Sequence, residues 1–399
     1  MRSFPLMFLL IFLGFYLLIT IGSIVSLSKI VSKKKRTQTR NIIIGYSLFI
    51  LLSFVYLFVW PQNARSTENY KWYLIYNVIL SIDFIFKIPL AFSFILGLVL
   101  FRIKNTVSYF IAFIISICLG TSVLFGSLFG KNEIVINRIE LEFANLPKNF
   151  NGYKIVQFSD THLGSFLHSK KLMNKAVKSI NELNPSLILF TGDLVNNFAS
   201  EVNGWRETFQ KINQKQNSFA ILGNHDYGNY SNWTDETAKT ANFDRIVDSH
   251  RELGLTLLRN ENAVIKEGTD SIYIIGVENW GHPPFPQYAD LDKAMKNVPE
   301  NTFQILLTHD PAHWDSVVKE RQDIELSLAG HTHGLQWGIK KAGINFSFSY
   351  FIRKNWGGLY SYGNSKLYVN TGLGMVGIPW RINMPGEITL ITLKRVEIN

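Results

Sequence analysis

The chain predicts two unlike parts: four bilayer-length helices, then an α/β domain in which strands and helices alternate around one largely buried sheet or two packed sheets. Three observations predict this. Long uncharged apolar runs fill the first 130 residues, short strand-like apolar runs recur through the rest, and five of the short runs end in Asp, Asn or His beside a small residue.

Composition and charge agree with the division. With 399 residues the chain accommodates two or three domains, and 47% hydrophobic with 14% aromatic content is high for a wholly soluble protein. Through residue 130 the acids are Glu68 and Asp83 against twelve Lys or Arg, whereas the remainder is balanced, so the net +10 belongs to the N-terminal part. A nucleic-acid binder would carry that excess on its folded domain, so membrane loops explain the charge better and no nucleic-acid partner is expected. The single cysteine, Cys118, excludes an intrachain disulfide.

Residues 1–130 are expected to hold four transmembrane helices at about 4–27, 41–60, 72–101 and 105–130, each reaching the roughly 20 residues a spanning helix needs. The first run outlasts the apolar core of a signal peptide and lacks a prompt cleavage pattern, so it reads as a membrane helix. Lys29, Lys33, Lys34, Lys35, Arg36 and Arg40 fill the first loop, and Arg102 and Lys104 the third; the second has Arg65 and Lys71 against Glu68. Positive loops stay in the cytoplasm, which predicts a multi-pass cell-membrane protein with its N-terminus and its large domain outside. Within the third span, Asp83 and Lys87 at i, i+4 are expected to neutralise each other.

The second domain takes residues 131–399. The residues from Lys131 to Asn137 span at most about 25 Å even when extended, which predicts a domain held close to the bilayer. Strands are expected at Arg138–Phe143, Lys154–Phe158, Leu187–Phe190, Phe219–Leu222, Ile272–Val277, Phe303–Leu307, Glu325–Leu328, Leu367–Val369 and Ile388–Leu393. A helix is expected over Ser169–Leu183, with Ser169 as its N-cap and Asn184-Pro185 as its stop.

The residues at the strand ends carry the chemistry. In order they are Asp160, His162, Asp193, Asn224, His225, His309, His331 and His333. Asp-x-His and His-x-His each place two side chains on one side of an extended segment, so each pair can grip one ion. Ligands of oxygen and imidazole without thiolate favour Mn, Fe or Zn. Eight candidates exceed one four-coordinate ion, and two ions sharing a bridging carboxylate fit the count. By contrast His168, His250, His282 and His313 read as turn or packing residues.

The motifs Asp160-Thr161-His162, Gly192-Asp193, Gly223-Asn224-His225-Asp226, Thr308-His309 and Gly330-His331-Thr332-His333 resemble the five ordered motifs of the calcineurin-like metallophosphoesterases. Asn370-Thr371-Gly372-Leu373-Gly374, Pro379, Arg381 and Pro385-Gly386-Glu387-Ile388 further resemble the family's membrane-associated bacterial branch of phosphodiesterases. The resemblance implies an α/β metallophosphoesterase domain of two packed mixed β-sheets flanked by helices. It also implies one metal ion on Asp160, His162, Asp193 and His333, and a second on Asp193, Asn224, His309 and His331, with a metal-activated hydroxide as nucleophile. His225, beside a ligand, would stabilise the phosphoryl group or protonate the leaving group, and Asp226 joins it as a catalytic residue. Gln336, Trp337 and Arg381 would contact substrate.

The segment from Leu335 to Tyr362 is rich in aromatic residues interleaved with Lys340, Lys341, Arg353 and Lys354. It reads either as hairpin packing or as an amphiphilic rim that meets lipid headgroups. The expected activity is hydrolysis of a phosphodiester, lipid-linked or envelope-derived. The alternatives are a phosphomonoesterase on soluble compounds and a non-catalytic membrane sensor or scaffold with structural metals.

Overall fold

The computed structural model describes residues 6–59, 70–99, 106–167, 169–212, 217–231, 233–281, 286–341 and 344–396. The loops holding Arg65, Glu68, Arg102 and Lys104 lie outside the described residues, as do His168 and His282. Two compact units divide the chain near Phe129.

The first unit contains helices α1 (Leu6–Ile30), α2 (Arg36–Val59), α3 (Tyr70–Val99) and α4 (Thr106–Leu128), each long and apolar enough to cross a membrane. Their outward faces expose residues such as Leu10, Phe49 and Phe92, as suits contact with hydrocarbon. Gly22 allows α1 and α3 to touch, since a Cβ there would lie 2.7 Å from Ala91 Cα. Asp83 and Lys87 pair as expected, with Lys87 Nζ 2.8 Å from Asp83 Oδ1. The pair also has partners on other helices. Tyr16 Oη donates to Asp83 Oδ2 at 2.8 Å, and Lys87 Nζ donates to Ser47 Oγ at 2.9 Å and to Tyr16 Oη at 2.8 Å, so one polar cluster ties α1, α2 and α3.

The second unit is built on two sheets. Its strands are β1 (Ile134–Phe143), β2 (Lys154–Phe158), β3 (Leu187–Phe190), β4 (Asn217–Ala220), β5 (Thr256–Leu257), β6 (Glu261–Glu267), β7 (Asp270–Gly276), β8 (Phe303–Leu307), β9 (Leu326–Ala329), β10 (Gly338–Lys341), β11 (Ile344–Ser347), β12 (Gly358–Tyr362), β13 (Ser365–Val369) and β14 (Gly386–Arg395). One sheet runs β1-β14-β2-β3-β4-β5 and the other β12-β13-β9-β8-β7-β6, while β10 and β11 form a separate hairpin. Both large sheets are mixed, with β2, β3, β4 and β5 parallel in one and β7, β8, β9 and β13 parallel in the other.

Alternation sends side chains to two cores at once. Ile155, Leu187 and Leu189 meet Ile274, Ile305, Leu307 and Leu328 between the sheets, whereas Val156 and Ile188 pack outward with Met173, Val177 and Ile180 of helix α5 (Lys171–Leu183). The opposite outer face buries Leu306, Ala329 and Val369 with Trp314 and Val318. Strands buried on both faces read as continuous apolar runs, which is why the sequence displays them.

Some boundaries differ from expectation. The α5 helix starts at Lys171 with Lys170 at its cap and no side-chain capping bond, so Ser169 does not cap it. Its end is as expected: Asn184 is left-handed at φ 45° ahead of Pro185. Strand β4 stops at Ala220 because Ile221 and Leu222 already lead into the Gly223 loop, and β1 begins earlier because it pairs with β14 along its full length. Helix α6 (Arg206–Phe209), helix α7 (Glu236–Glu252) and the short or half-exposed strands β5, β6 and β10–β12 have weak apolar periodicity and were not foreseen.

Candidate metal centre

The polar residues leave the C-terminal ends of adjacent parallel strands, where open α/β sheets place their sites. Asp160 and His162 follow β2, Asp193 follows β3, Asn224 and His225 follow β4, His309 follows β8, and His331 and His333 follow β9. Asp160, His162, Asp193, His331 and His333 all have φ between 43° and 73°. Left-handed backbone at non-glycine residues costs about 1–3 kcal/mol each and clusters where side chains must converge. Glycine supplies the room: a Cβ on Gly223 would lie 2.1 Å from Asp193 Oδ1, and one on Gly330 would lie 2.3 Å from Asp160 Oδ2.

All seven expected ligands come together, in two groups. In the first, His162 Nε2 lies 3.0 Å from His333 Nε2 and 3.5 Å from Asp193 Oδ2, and His333 Nε2 lies 3.2 Å from Asp160 Oδ1. In the second, His309 Nε2 lies 3.2 Å from Asp193 Oδ2 and 3.0 Å from Asn224 Oδ1, which is 2.8 Å from His331 Nδ1. Asp193 Oδ2 is common to both groups.

Hydrogen bonding fixes what these atoms offer. His162 Nδ1 faces Val195 O at 3.2 Å and His309 Nδ1 faces Thr191 O at 2.8 Å. A carbonyl only accepts, so each Nδ1 carries the hydrogen and the neutral ring presents a bare Nε2. Asn224 Nδ2 donates to Tyr230 Oη at 2.8 Å, which turns its Oδ1 inward. Lone pairs of imidazole, amide and carboxylate therefore face one another, an arrangement that is repulsive until a cation stands among them. Ligands about 2.0–2.3 Å from a metal lie roughly 3–3.6 Å from each other, close to the 2.8–3.5 Å found here.

Titration differs among the ligands. Burial penalises a charged His309, but the attraction of Asp193, its hydrogen bond and Asp160 together raise its pKa to about 10, so without a cation its Nε2 keeps a proton toward Asp193 that metal binding would displace. Burial by itself would raise Asp160 and Asp193, yet His333 for the first and His309 with His225 for the second hold both below the usual carboxylate range. Burial pushes His162 well down and His331 down to about 4, keeping both neutral and able to ligate.

His225 sits at the rim of the centre, half-buried. Its N–H donates to Asp193 Oδ1 at 2.9 Å, its Nδ1 faces Asn196 O at 2.8 Å, and its ring stacks on Tyr230 with centroids 4.4 Å apart. Asp226, expected beside His225 as a catalytic residue, is engaged with the backbone. It is fully buried, and its oxygens accept the N–H groups of Asp193, Leu194, Val195 and Gly223 at 2.9–3.2 Å, bracing the loops that carry Asp193 and Asn224. Burial and the nearby Asp193 charge push Asp226 up to about 7, but four N–H donors aimed at it leave no acceptor for a proton, so the bonding supports the anion.

Two of the three expected substrate contacts, Gln336 and Arg381, turn inward. Arg381 is 1% exposed and donates to the carbonyls of Thr371, Gly372, Gly374 and Met384, so it supports the loop behind His333. Gln336 is buried and clamps Val376 through its N–H and C=O, while Trp337 sets its ring edge against Phe348.

Three residues not foreseen serve the site. Asp310 Oδ2 lies 3.5 Å from His331 Nε2, and its Oδ1 pairs with Arg353 Nη1 at 2.6 Å, so a carboxylate fixes the His331 ring and leaves Nδ1 for metal. Arg353 thus turns into the cleft and away from the lipid rim in which it was expected. Glu201 accepts from the N–H groups of Gly164, Asn196, Asn197 and Phe198, joining the β2 and β3 loops. Asp310 had a readable signal, a Pro at the next position that marks a helix start; Arg353 and Glu201 had none.

A family model described as calcineurin-like phosphoesterase matches residues 153–335. The uncharacterized metallophosphoesterase YkuE of Bacillus subtilis is 32% identical over 263 residues, 62% of this chain and 82% of that one. A transmembrane protein with metallophosphoesterase domain from Danio rerio is 30% identical over 263 residues, 64% of this chain and 56% of that one. The chain belongs to the calcineurin-like phosphoesterase family. It is a metallophosphoesterase, a phosphoric ester hydrolase whose centre takes two metal ions.

Proposed function

We propose that this protein is a multi-pass membrane phosphodiesterase whose catalytic domain faces away from the cytoplasm and cleaves a lipid-linked or envelope phosphodiester. The observation that carries the reaction is the pair of ligand groups meeting at Asp193. Asp160, His162, Asp193 and His333 would hold one ion, and Asp193, Asn224, His309 and His331 the other. When bound, the ions polarise the phosphoryl group and acidify water.

The chain's own residues do the rest. With Nδ1 tied to Asn196 O, the Nε2 of His225 is the nitrogen that passes a proton to the departing oxygen, and Tyr230 keeps its ring in place. Asp226 and Glu201 hold the ligand loops. The cleft beside the centre is lined by Tyr227, Tyr230, Tyr288, Asp310, His331 and Arg353 among others. Arg353 is the cation among its described lining residues, and Asp310 already neutralises it. Beyond the metal ions and His225, a dianionic monoester would gain no further free cation from these lining residues, whereas the second organic arm of a diester finds three tyrosines. This favours diesters.

The four helices and the basic first loop support the placement in a membrane, and the expected orientation rests on that loop. With Mn²⁺, the purified full-length protein should turn over bis(p-nitrophenyl) phosphate at least about tenfold better, in kcat/KM, than p-nitrophenyl phosphate, and Asp193→Ala should remove both the activity and the bound metal. Preference for the monoester would replace this reading, and a folded protein that binds metal without cleaving either ester would favour a sensor. For orientation, cysteine at Lys34 in a Cys118→Ser background should resist labelling from outside the cell.

A further inference from the structure

The segment from Ser347 to Ile352 inverts the usual distribution of polarity. Ser347 and Ser349 are buried, while Tyr350, Phe351 and Ile352 are 55%, 74% and 71% exposed and Phe348 is exposed beside them. Ser347 is held inside by its hydroxyl, which caps the following turn at Ser349 N–H and bonds the carbonyls of Gly334 and Trp337, but no such bond holds the aromatic tips outside. Phe351 and Phe348 each set a ring edge against Phe346, so the exposed rings form one built patch. A contiguous patch of large apolar groups on a folded surface marks an interaction site.

Both ends of the patch are fastened to the metal centre. Ser347 Oγ donates to Gly334 O, next to the ligand His333, and Arg353, next to Ile352, pairs with Asp310, which faces the ligand His331. Whatever covers the patch therefore borders the cleft. Lys354 stands exposed at its edge. In the chain, five residues separate the last apolar helix, ending at Leu128, from β1 at Ile134, so this domain cannot diffuse away from a membrane that the helices cross.

From these observations we infer that Phe348, Tyr350, Phe351 and Ile352 form a wedge that enters the headgroup region of the phospholipid bilayer, so that the enzyme takes its phosphodiester from an amphiphile lying in that interface. Aromatic and aliphatic tips with a flanking cation are the groups that settle at this depth. The substrate class rests on the phosphodiesterase reading above; the seating of the wedge does not.

The test uses the full-length protein in phosphatidylcholine nanodiscs. Replacing Cys118, the single cysteine, by Ser allows Phe351→Cys to carry an environment-sensitive fluorophore, with Glu182→Cys on an exposed helix face as control. The label at 351 should emit to the blue, be quenched by spin-labelled phosphatidylcholine and resist iodide, while the label at 182 behaves oppositely. Quenching of 351 by iodide as at 182 overturns the inference, and shielding from both quenchers overturns it in favour of contact with protein.

A second arm addresses the substrate. Phe351→Ser with Ile352→Ser should raise KM about tenfold for a nitrophenyl phosphodiester bearing an acyl chain in the nanodisc, and leave bis(p-nitrophenyl) phosphate unaffected. Equal effects on both substrates, or none on either, overturn the delivery role. Absence of all activity defeats the phosphodiesterase reading and leaves the depth measurement to stand by itself.

Discussion

The ligand residues act as a set because neighbours choose their tautomers. His162 and His309 are committed by backbone carbonyls, Asn224 by Tyr230, and His331 by Asp310. Of these, the Asp310 contact is the most open to test. Replacing Asp310 by Ala frees the His331 ring and leaves Arg353 unpaired; losing such a partner lowers metal affinity roughly 10- to 100-fold. Metal titration should then show one weakened ion and one unchanged, since Asp160, His162 and His333 do not touch Asp310. Equal loss of both ions would mean that the groups are not separate.

Within an element, what matters is which face a residue shows. Strands β2, β3, β8 and β9 bury both faces, so packing on two sides fixes where their ends deliver the ligand loops. Among the helices, Asp83 and Lys87 share a turn of α3 and recruit Tyr16 and Ser47 from two other helices. Removing one member of a buried ion pair costs about 3–5 kcal/mol, because the other charge stays uncompensated. Asp83→Asn should therefore lower the thermal midpoint of the full chain in detergent, while Asp83→Leu with Lys87→Met recovers most of it. If the single variant is as stable as the parent, the cluster does not hold the helices together.

At the scale of the molecule, buried histidines make stability depend on pH. His250, wholly buried in α7, has its Nδ1 facing Ile246 O at 2.9 Å, and burial lowers its pKa from 6.5 to about 4. Between those values the unfolded chain binds a proton that the folded chain refuses, so stability falls as pH drops through 6.5 toward 4. From pH 6.5 to 5 the share of this residue is about 2 kcal/mol. The variant His250→Phe should lose that much less over the same interval in denaturation followed by circular dichroism, and an identical pH dependence would show that His250 titrates normally.

Several features were legible because they are local. Each ligand stands one to four residues beyond an apolar run, so a strand end and its chemistry are read together, as at Phe219 to Asn224. The four spans and the Asp83–Lys87 pair are equally local, being set by length and by a single helical turn. The residues whose surroundings no local pattern shows are those whose environment is made elsewhere. Arg381 resembles a substrate cation until carbonyls of the β13 loop and Met384 close around it, and Arg353 resembles a lipid-facing cation until Asp310, 43 positions away, draws it into the cleft.

By itself, then, the sequence determined the four long helices, the strands buried on both faces, the ligand types and their number, since these follow from periodicity and from turns within a few residues. Only the tertiary structure decided which nitrogen of each histidine faces the centre, which carboxylate holds the His331 ring, and that serines turn in where aromatics turn out. Those outcomes depend on hydrogen bonds and packing between distant parts of the chain, which no local pattern records.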